Sequence, residues 1–159
     1  MSEAAATSWQ VRAATQDDAA GLAMLPLGEE IASRSMQAWR AWLKEPATLT
    51  LVAAASDGGI SGFLDVRHAA DEAEIIDLWV APPDRRKGVA AALLDRLCLD
   101  VANKGASRLF LEVAVDNAAA CALYEKQGFA TVARRNAYYT RPGSKPVDAL
   151  VMARPIEGA

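Results

Sequence analysis

From Ala73 to Val80 the chain runs Ala-Glu-Ile-Ile-Asp-Leu-Trp-Val, a nearly continuous apolar stretch that predicts a central, buried strand. Ala81-Pro82-Pro83-Asp84 breaks it. From Gly88 to about Lys104, Val89, Leu93, Leu94, Leu97 and Val101 recur on one helical face, and Gly105 suits the C-terminal cap. Arg108–Val115 is again β-rich. A buried strand, an amphipathic helix and a second strand in this order predict a right-handed crossover joining parallel strands.

The flanking segments supply the rest of a mixed sheet. Trp9–Ala13 alternates apolar and polar side chains, as a first strand does. Thr15 with Asp17 and Asp18 reads as the start of a helix that runs to about Leu25 and stops near Pro26. A second helix, Ser35–Lys44, places Met36, Trp39 and Leu43 on one face. Thr48–Ala55 and Ile60–Val66 flank Asp57-Gly58-Gly59, the signature of a hairpin with left-handed residues at its turn. Asn117–Lys126 reads as a short helix closed by Gly128, and Phe129–Arg135 and Val147–Ala153 as strands. The sum is an α/β (α+β) chain: a single three-layer α/β/α domain over residues 9–156, with six or seven strands, after a mobile leader at 1–8.

Composition narrows the function. Of 159 residues, 52% are hydrophobic, enough for a sizeable core in one domain. Seventeen lysines and arginines against twenty aspartates and glutamates give a net charge of −3, which argues against sequence-independent nucleic-acid binding. No apolar run reaches the roughly 20 residues of a spanning helix. Two cysteines, Cys98 and Cys121, form no disulfide framework and suit a reduced cytoplasm. His68, the only histidine, reads as a surface residue in a polar loop, and with two separated cysteines it makes no metal site.

Arg85-Arg86-Lys87-Gly88-Val89-Ala90 lies between the apolar strand and the long helix. A helix N-terminus leaves backbone N–H groups unpaired and carries partial positive charge. Three cations precede it, while Gly88 and Ala90 remove side-chain bulk. These features describe an anion cradle, most naturally for a pyrophosphate, with a solvated basic turn as the alternative. The segment is neither a P-loop nor a three-glycine dinucleotide fingerprint.

At this loop the chain resembles the GCN5-related N-acetyltransferase (GNAT) superfamily, whose phosphate loop reads Gln/Arg-x-x-Gly-x-Gly/Ala. Asn117 opening a helix and Tyr124-Glu125-Lys126-Gln127-Gly128-Phe129 match further family motifs in the correct order. Leu111-Glu112-Val113, Asp116–Ala120 and Ala122–Glu125 are most similar to the ribosomal-protein alanine N-acetyltransferases, as are Arg134-Arg135-Asn136, Tyr138-Tyr139 and Val151–Ile156. That subgroup's aromatic-proline-tryptophan-serine element is absent from residues 25–45, and Trp79 stands where a small residue is usual.

The resemblance implies an acetyl-CoA-dependent N-acetyltransferase that transfers directly to a primary amine, with no metal and no covalent enzyme intermediate. The acceptor it implies is a protein or peptide N-terminal α-amine. A small-molecule amine (polyamine, amino acid or aminoglycoside) and a non-catalytic acyl-CoA sensor are the alternatives. Leu78 and Val80 would pair with the pantetheine arm, the Val80 amide serving the thioester oxygen. Arg85, Arg86, Lys87, Gly88, Val89 and Ala90 would surround the pyrophosphate, and Asn117 would add a pantetheine contact. Tyr124 is the general-acid candidate. Glu112, a carboxylate inside the apolar Leu-Phe-Leu-Glu-Val-Ala-Val strand, is the general-base candidate, with Asp77 its rival. Trp39 and Trp42 read as packing residues, Tyr138 and Tyr139 as possible acceptor flanks, and Glu29 and Glu30 as an acidic turn suited to a cationic amine. A monomer or homodimer is expected.

Overall fold

The computed structural model describes residues 8–28, 31–140 and 142–157. Seven strands lie in the order β1-β2-β3-β4-β5-β7-β6. They are β1 (Trp9–Ala13), β2 (Thr48–Ala55), β3 (Ile60–Ala69), β4 (Glu72–Val80), β5 (Arg108–Ala114), β6 (Ala130–Tyr139) and β7 (Val147–Pro155). Four helices accompany them: α1 (Ala19–Ala23), α2 (Met36–Lys44), α3 (Val89–Asn103) and α4 (Ala118–Lys126). The strand-helix-strand run does join a parallel pair, β4 and β5. No helix among the described residues is long and apolar enough to cross a membrane.

The chain forms two compact units, one of residues 1–66 and 77–97, the other of 67–76 and 98–159. In the first, β1 and β2 pair antiparallel from Trp9↔Ala55 to Ala13↔Leu51. The core gathers Ala19, Leu22, Trp39, Val52, Phe63 and Trp79. The Trp39 ring meets Phe63 edge-on at 5.4 Å between centroids, and Phe63 lies 6.2 Å from Trp79. α2 begins where Ser35 accepts the Ala38 N–H through its hydroxyl oxygen, a local cap readable in the sequence. α1 is shorter than expected: a 3-10 turn at Gln16–Asp18 precedes it, and Gly21 sits inside its single turn and weakens it. Gly62 brings β3 against the start of α3, because a Cβ there would lie 2.7 Å from the Trp79 carbonyl oxygen and 3.2 Å from Val89 Cγ1.

In the second unit, β5 and β7 pair antiparallel along the whole of β5, Arg108↔Pro155 to Ala114↔Ala149. Leu109, Leu111 and Val113 point into the core, so Phe110 and Glu112 take the other face. β6, the outermost strand, is exposed along nearly its full length and slips register against β7 twice. α4 is capped by Asn117, whose carboxamide oxygen accepts the Ala120 N–H at 3.2 Å, and Gly128 turns the chain into β6 at φ +89.

Several expectations need correction. β4 is central in the strand order but not buried throughout, since Ile76 is 38% exposed and only Ala73, Ile75 and Trp79 are buried. β3 extends through Ala69, which places His68 in a strand rather than a polar loop, partly buried and shifted down by that burial and by Lys104. β6 runs to Tyr139 and β7 to Pro155, because ladder hydrogen bonds need no apolar side chains. Met36 is 41% exposed, leaving Trp39 as the buried anchor of α2. Residues 1–7 of the leader, together with Glu29 and Glu30, lie outside the described residues.

Candidate functional site

The first unit holds the loop that follows β4. The Val80 carbonyl accepts the Arg85 Nε–H at 3.1 Å, which folds that side chain back over the strand end. A 3-10 turn at Pro82–Asp84 follows, and Arg86 (φ +63) and Gly88 (φ +87) both take left-handed backbone. The Gly88 carbonyl accepts the Ala92 N–H at 3.0 Å, which makes Gly88 the residue that opens α3. The amides of Gly88, Val89, Ala90 and Ala91 therefore begin the helix with no acceptor inside it. Arg85, Arg86, Lys87 and Gly88 are exposed around them, and Val89 is buried. Donors, cations and an unhindered glycine fit an anionic pyrophosphate. The structure thus brings Leu78, Val80 and residues 85–90 together as one continuous strand end, loop and helix start.

Asp77 belongs to a network that the sequence reading missed. Arg34 donates through Nη1 to Asp65 at 2.5 Å and through Nη2 to Asp77 at 3.0 Å. Its guanidinium lies 4.4 Å from the Trp39 ring centre and 4.6 Å from that of Trp42, a double cation–π contact. Thr50 donates its hydroxyl to Asp65 at 2.6 Å and accepts the Trp42 indole N–H at 3.0 Å. The signal existed: Asp65 in Gly-Phe-Leu-Asp-Val is as anomalous as Glu112 in its own strand. Its partners lie too far along the chain for local reading to pair them.

Burial pushes Asp65 up to about 6, against Arg34 and the Thr50 hydroxyl, and burial also raises Asp77 against Arg34. The folded chain thus holds the Asp65 proton more tightly than the unfolded chain. Through this group, stability falls as pH rises across the window between its ordinary value of 3.8 and about 6. Asp18 and Asp148 are shifted down and act in the opposite sense, so a comparison with Asp65→Asn isolates the effect. Urea unfolding should show wild type gaining on Asp65→Asn by on the order of 2–3 kcal/mol between about pH 7 and about pH 4. A pH-independent difference would mean that Asp65 stays ionised.

The second unit holds Glu112, Asn117 and Tyr124. Glu112 Oε1 pairs with Arg135 Nε at 3.1 Å, and the Arg135 guanidinium also lies 5.1 Å from the Tyr138 ring centre. Glu112 keeps 17% of its side chain exposed, while Arg135 is more than half exposed. Tyr124 is buried at 8% exposure, its ring edge-on to Phe129 at 5.6 Å. Tyr138 and Tyr139 pack edge-on at 5.2 Å near the end of β6. Cys121 stands on α4 with its thiol shifted up by burial and by Glu125. No cluster of three or more metal-ligating side chains is present among the described residues.

Comparison with known proteins bears on both units. The acetyltransferase (GNAT) family matches residues 13–129. The ribosomal protein bS18-alanine N-acetyltransferase of Escherichia coli K12 is 41% identical over 102 residues, covering 63% of this chain and 67% of that protein. The streptothricin acetyltransferase of Streptomyces lavendulae is 35% identical over 108 residues, 67% of this chain and 57% of that protein. The crystal structure of the Escherichia coli ribosomal-protein-S18-alanine N-acetyltransferase superposes with a TM-score of 0.82 at 27% identity, over 95% of this chain and 96% of that one.

Proposed function

This chain belongs to the acetyltransferase (GNAT) family and is an acetyl-CoA-dependent N-acetyltransferase, and from that premise we propose that its acceptor is the α-amine of a protein or peptide N-terminus. The observation that carries this reading is the 41% identity to an enzyme that acetylates a ribosomal-protein alanine. A second reading, a small-molecule amine, is favoured by the 35% identity to streptothricin acetyltransferase.

Acetyl-CoA supplies the activated thioester. In the proposed mechanism, the opening amides of α3, with Arg85, Arg86 and Lys87, hold the pyrophosphate, and Leu78 and Val80 pair their backbone with the pantetheine arm. The Val80 amide donates to the oxyanion that develops on the thioester oxygen. Asn117 spends its carboxamide oxygen on the α4 cap, so its pantetheine contact falls to the amide nitrogen. Glu112 takes the proton of the acceptor ammonium, and Tyr124 gives its phenolic proton to the departing thiolate. Glu112 is preferred to Asp77 because Arg34, the partner of Asp77, is held over the Trp39 and Trp42 rings and on the buried Asp65 as well. Arg135, in contrast, reaches Glu112 from an exposed strand, with more than half of its own side chain in solvent.

A thiol-release assay separates the two acceptors. With acetyl-CoA saturating, an alanine-initiated peptide should release thiol faster than spermidine, free lysine or an aminoglycoside. Release with the small amines and none with the peptide would overturn the α-amine reading.

A further inference from the structure

The Arg34 cluster has no part in the mechanism above, yet it has the chemistry of a cation site. In the first unit, two carboxylates and two tryptophan faces converge on one guanidinium. Asp65 and Asp77 accept from its Nη1 and Nη2, and the Trp39 and Trp42 ring centres lie 4.4 and 4.6 Å from it. The walls are themselves held: Thr50 bonds both the Asp65 carboxylate and the Trp42 indole N–H. The Trp39 indole N–H is buried with no hydrogen-bond partner among the described residues, so this ring contributes its face rather than its polar edge. The Asp65 side chain is 0% exposed, whereas Arg34 and Asp77 keep 19% and 21%, so the cage meets solvent on the Asp77 side.

A buried ion pair is often no more stabilising than apolar residues of the same volume, so fold stability alone does not account for a guanidinium here. The place of the cage supplies a reason. Arg34 comes from the segment that leads into α2, so a cation of the chain itself fills the cage. Asp77 precedes Val80 by three residues on β4, about 10 Å along an extended strand. The extended chain of a triamine such as spermidine spans that distance, with one amine at the thioester and a second cationic group at Asp77. Aromatic faces beside a carboxylate are the chemistry that recognises such a group. With Arg34 in place, that second group meets a filled site and a like charge. An alanine-initiated peptide brings a single ammonium at its reacting end and makes no demand on the cage.

We propose that Arg34 determines acceptor specificity: it occupies a cation cage beside the reacting strand and so bars polyamines. This rests on the placement of the thioester at the Val80 amide and deepens the α-amine reading. The transfer itself is unchanged when a polyamine is admitted. The thioester C–S bond breaks, an amide C–N bond forms, one proton leaves the amine and one reaches the thiolate.

Arg34→Ala alone would strand the buried Asp65 charge, so the test pairs it with Asp65→Asn, which leaves Asp77 and both rings in place. Methylguanidinium, titrated below denaturing concentrations, should shift the tryptophan fluorescence of the double variant saturably and leave wild type and Asp65→Asn unchanged. In the thiol-release assay, kcat/KM for spermidine relative to an alanine-initiated peptide should rise about tenfold or more in the double variant. Asp65→Asn and Arg34→Lys, which keep a cation in the cage, should show no gain, and methylguanidinium should suppress the gain in the double variant. No fluorescence response in the double variant, or an unchanged spermidine ratio, overturns the proposal. The fluorescence arm needs neither acetyl-CoA nor an acceptor, so failure of the Val80 placement leaves it intact. Wild type that already favours spermidine over the peptide removes the α-amine reading beneath the proposal, an outcome recognised without any variant.

Discussion

Replacing Tyr124 by phenylalanine is expected to lower kcat by about a hundredfold or more while acetyl-CoA affinity stays within about twofold. The ring is buried and packs on Phe129, and phenylalanine preserves that contact. Loss of the hydroxyl costs stability by about 1 kcal/mol, too little to unfold the chain. What disappears is the proton for the leaving thiolate, so the defect should fall on kcat rather than on KM for acetyl-CoA. It should also shrink for a donor whose leaving group needs no proton, such as an activated aryl thioester. Unchanged kcat in Tyr124→Phe would reduce this tyrosine to a packing residue.

The second large effect is expected at Gly88. Its φ of +87 lies where L-residues are strained, yet a Cβ would meet nothing within 4 Å. Gly88→Val therefore acts through the backbone: it misdirects the amides that open α3 and should weaken acetyl-CoA binding by tenfold or more. Gly58 provides the control, because it has φ +86 and equally open surroundings but lies in the β2–β3 turn. Gly58→Val should lower thermal stability and leave acetyl-CoA affinity unchanged. Equal affinity losses in both variants would mean that the loop holds no pyrophosphate.

How much was legible follows from how local each signal is. The second helix and the one opened by Asn117 start where the sequence suggests, and in each the first residue, Ser35 or Asn117, accepts a backbone N–H three residues on. The cations, glycine and helix start from Arg85 to Ala90 are contiguous, so a single sequence window holds them all. Arg34, in contrast, meets carboxylates 31 and 43 residues away, and no window along the sequence joins them. The apolar run of β4 suggested uniform burial, yet a strand shows alternate residues to opposite faces, and Ile76 falls on one that stays open. The polar residues from Arg67 onward suggest that β3 stops before His68, whereas the strand runs to Ala69 and a left-handed Ala70 (φ +55) follows it.

The most direct test of the central claim is calorimetric titration of the protein with acetyl-CoA, beside coenzyme A and ATP. Saturable binding of both coenzyme A species at one site per chain, tighter than ATP, is the predicted result. No heat of binding with acetyl-CoA under native conditions would contradict the account at its base, since every step assigned to Val80, Glu112 and Tyr124 requires that donor.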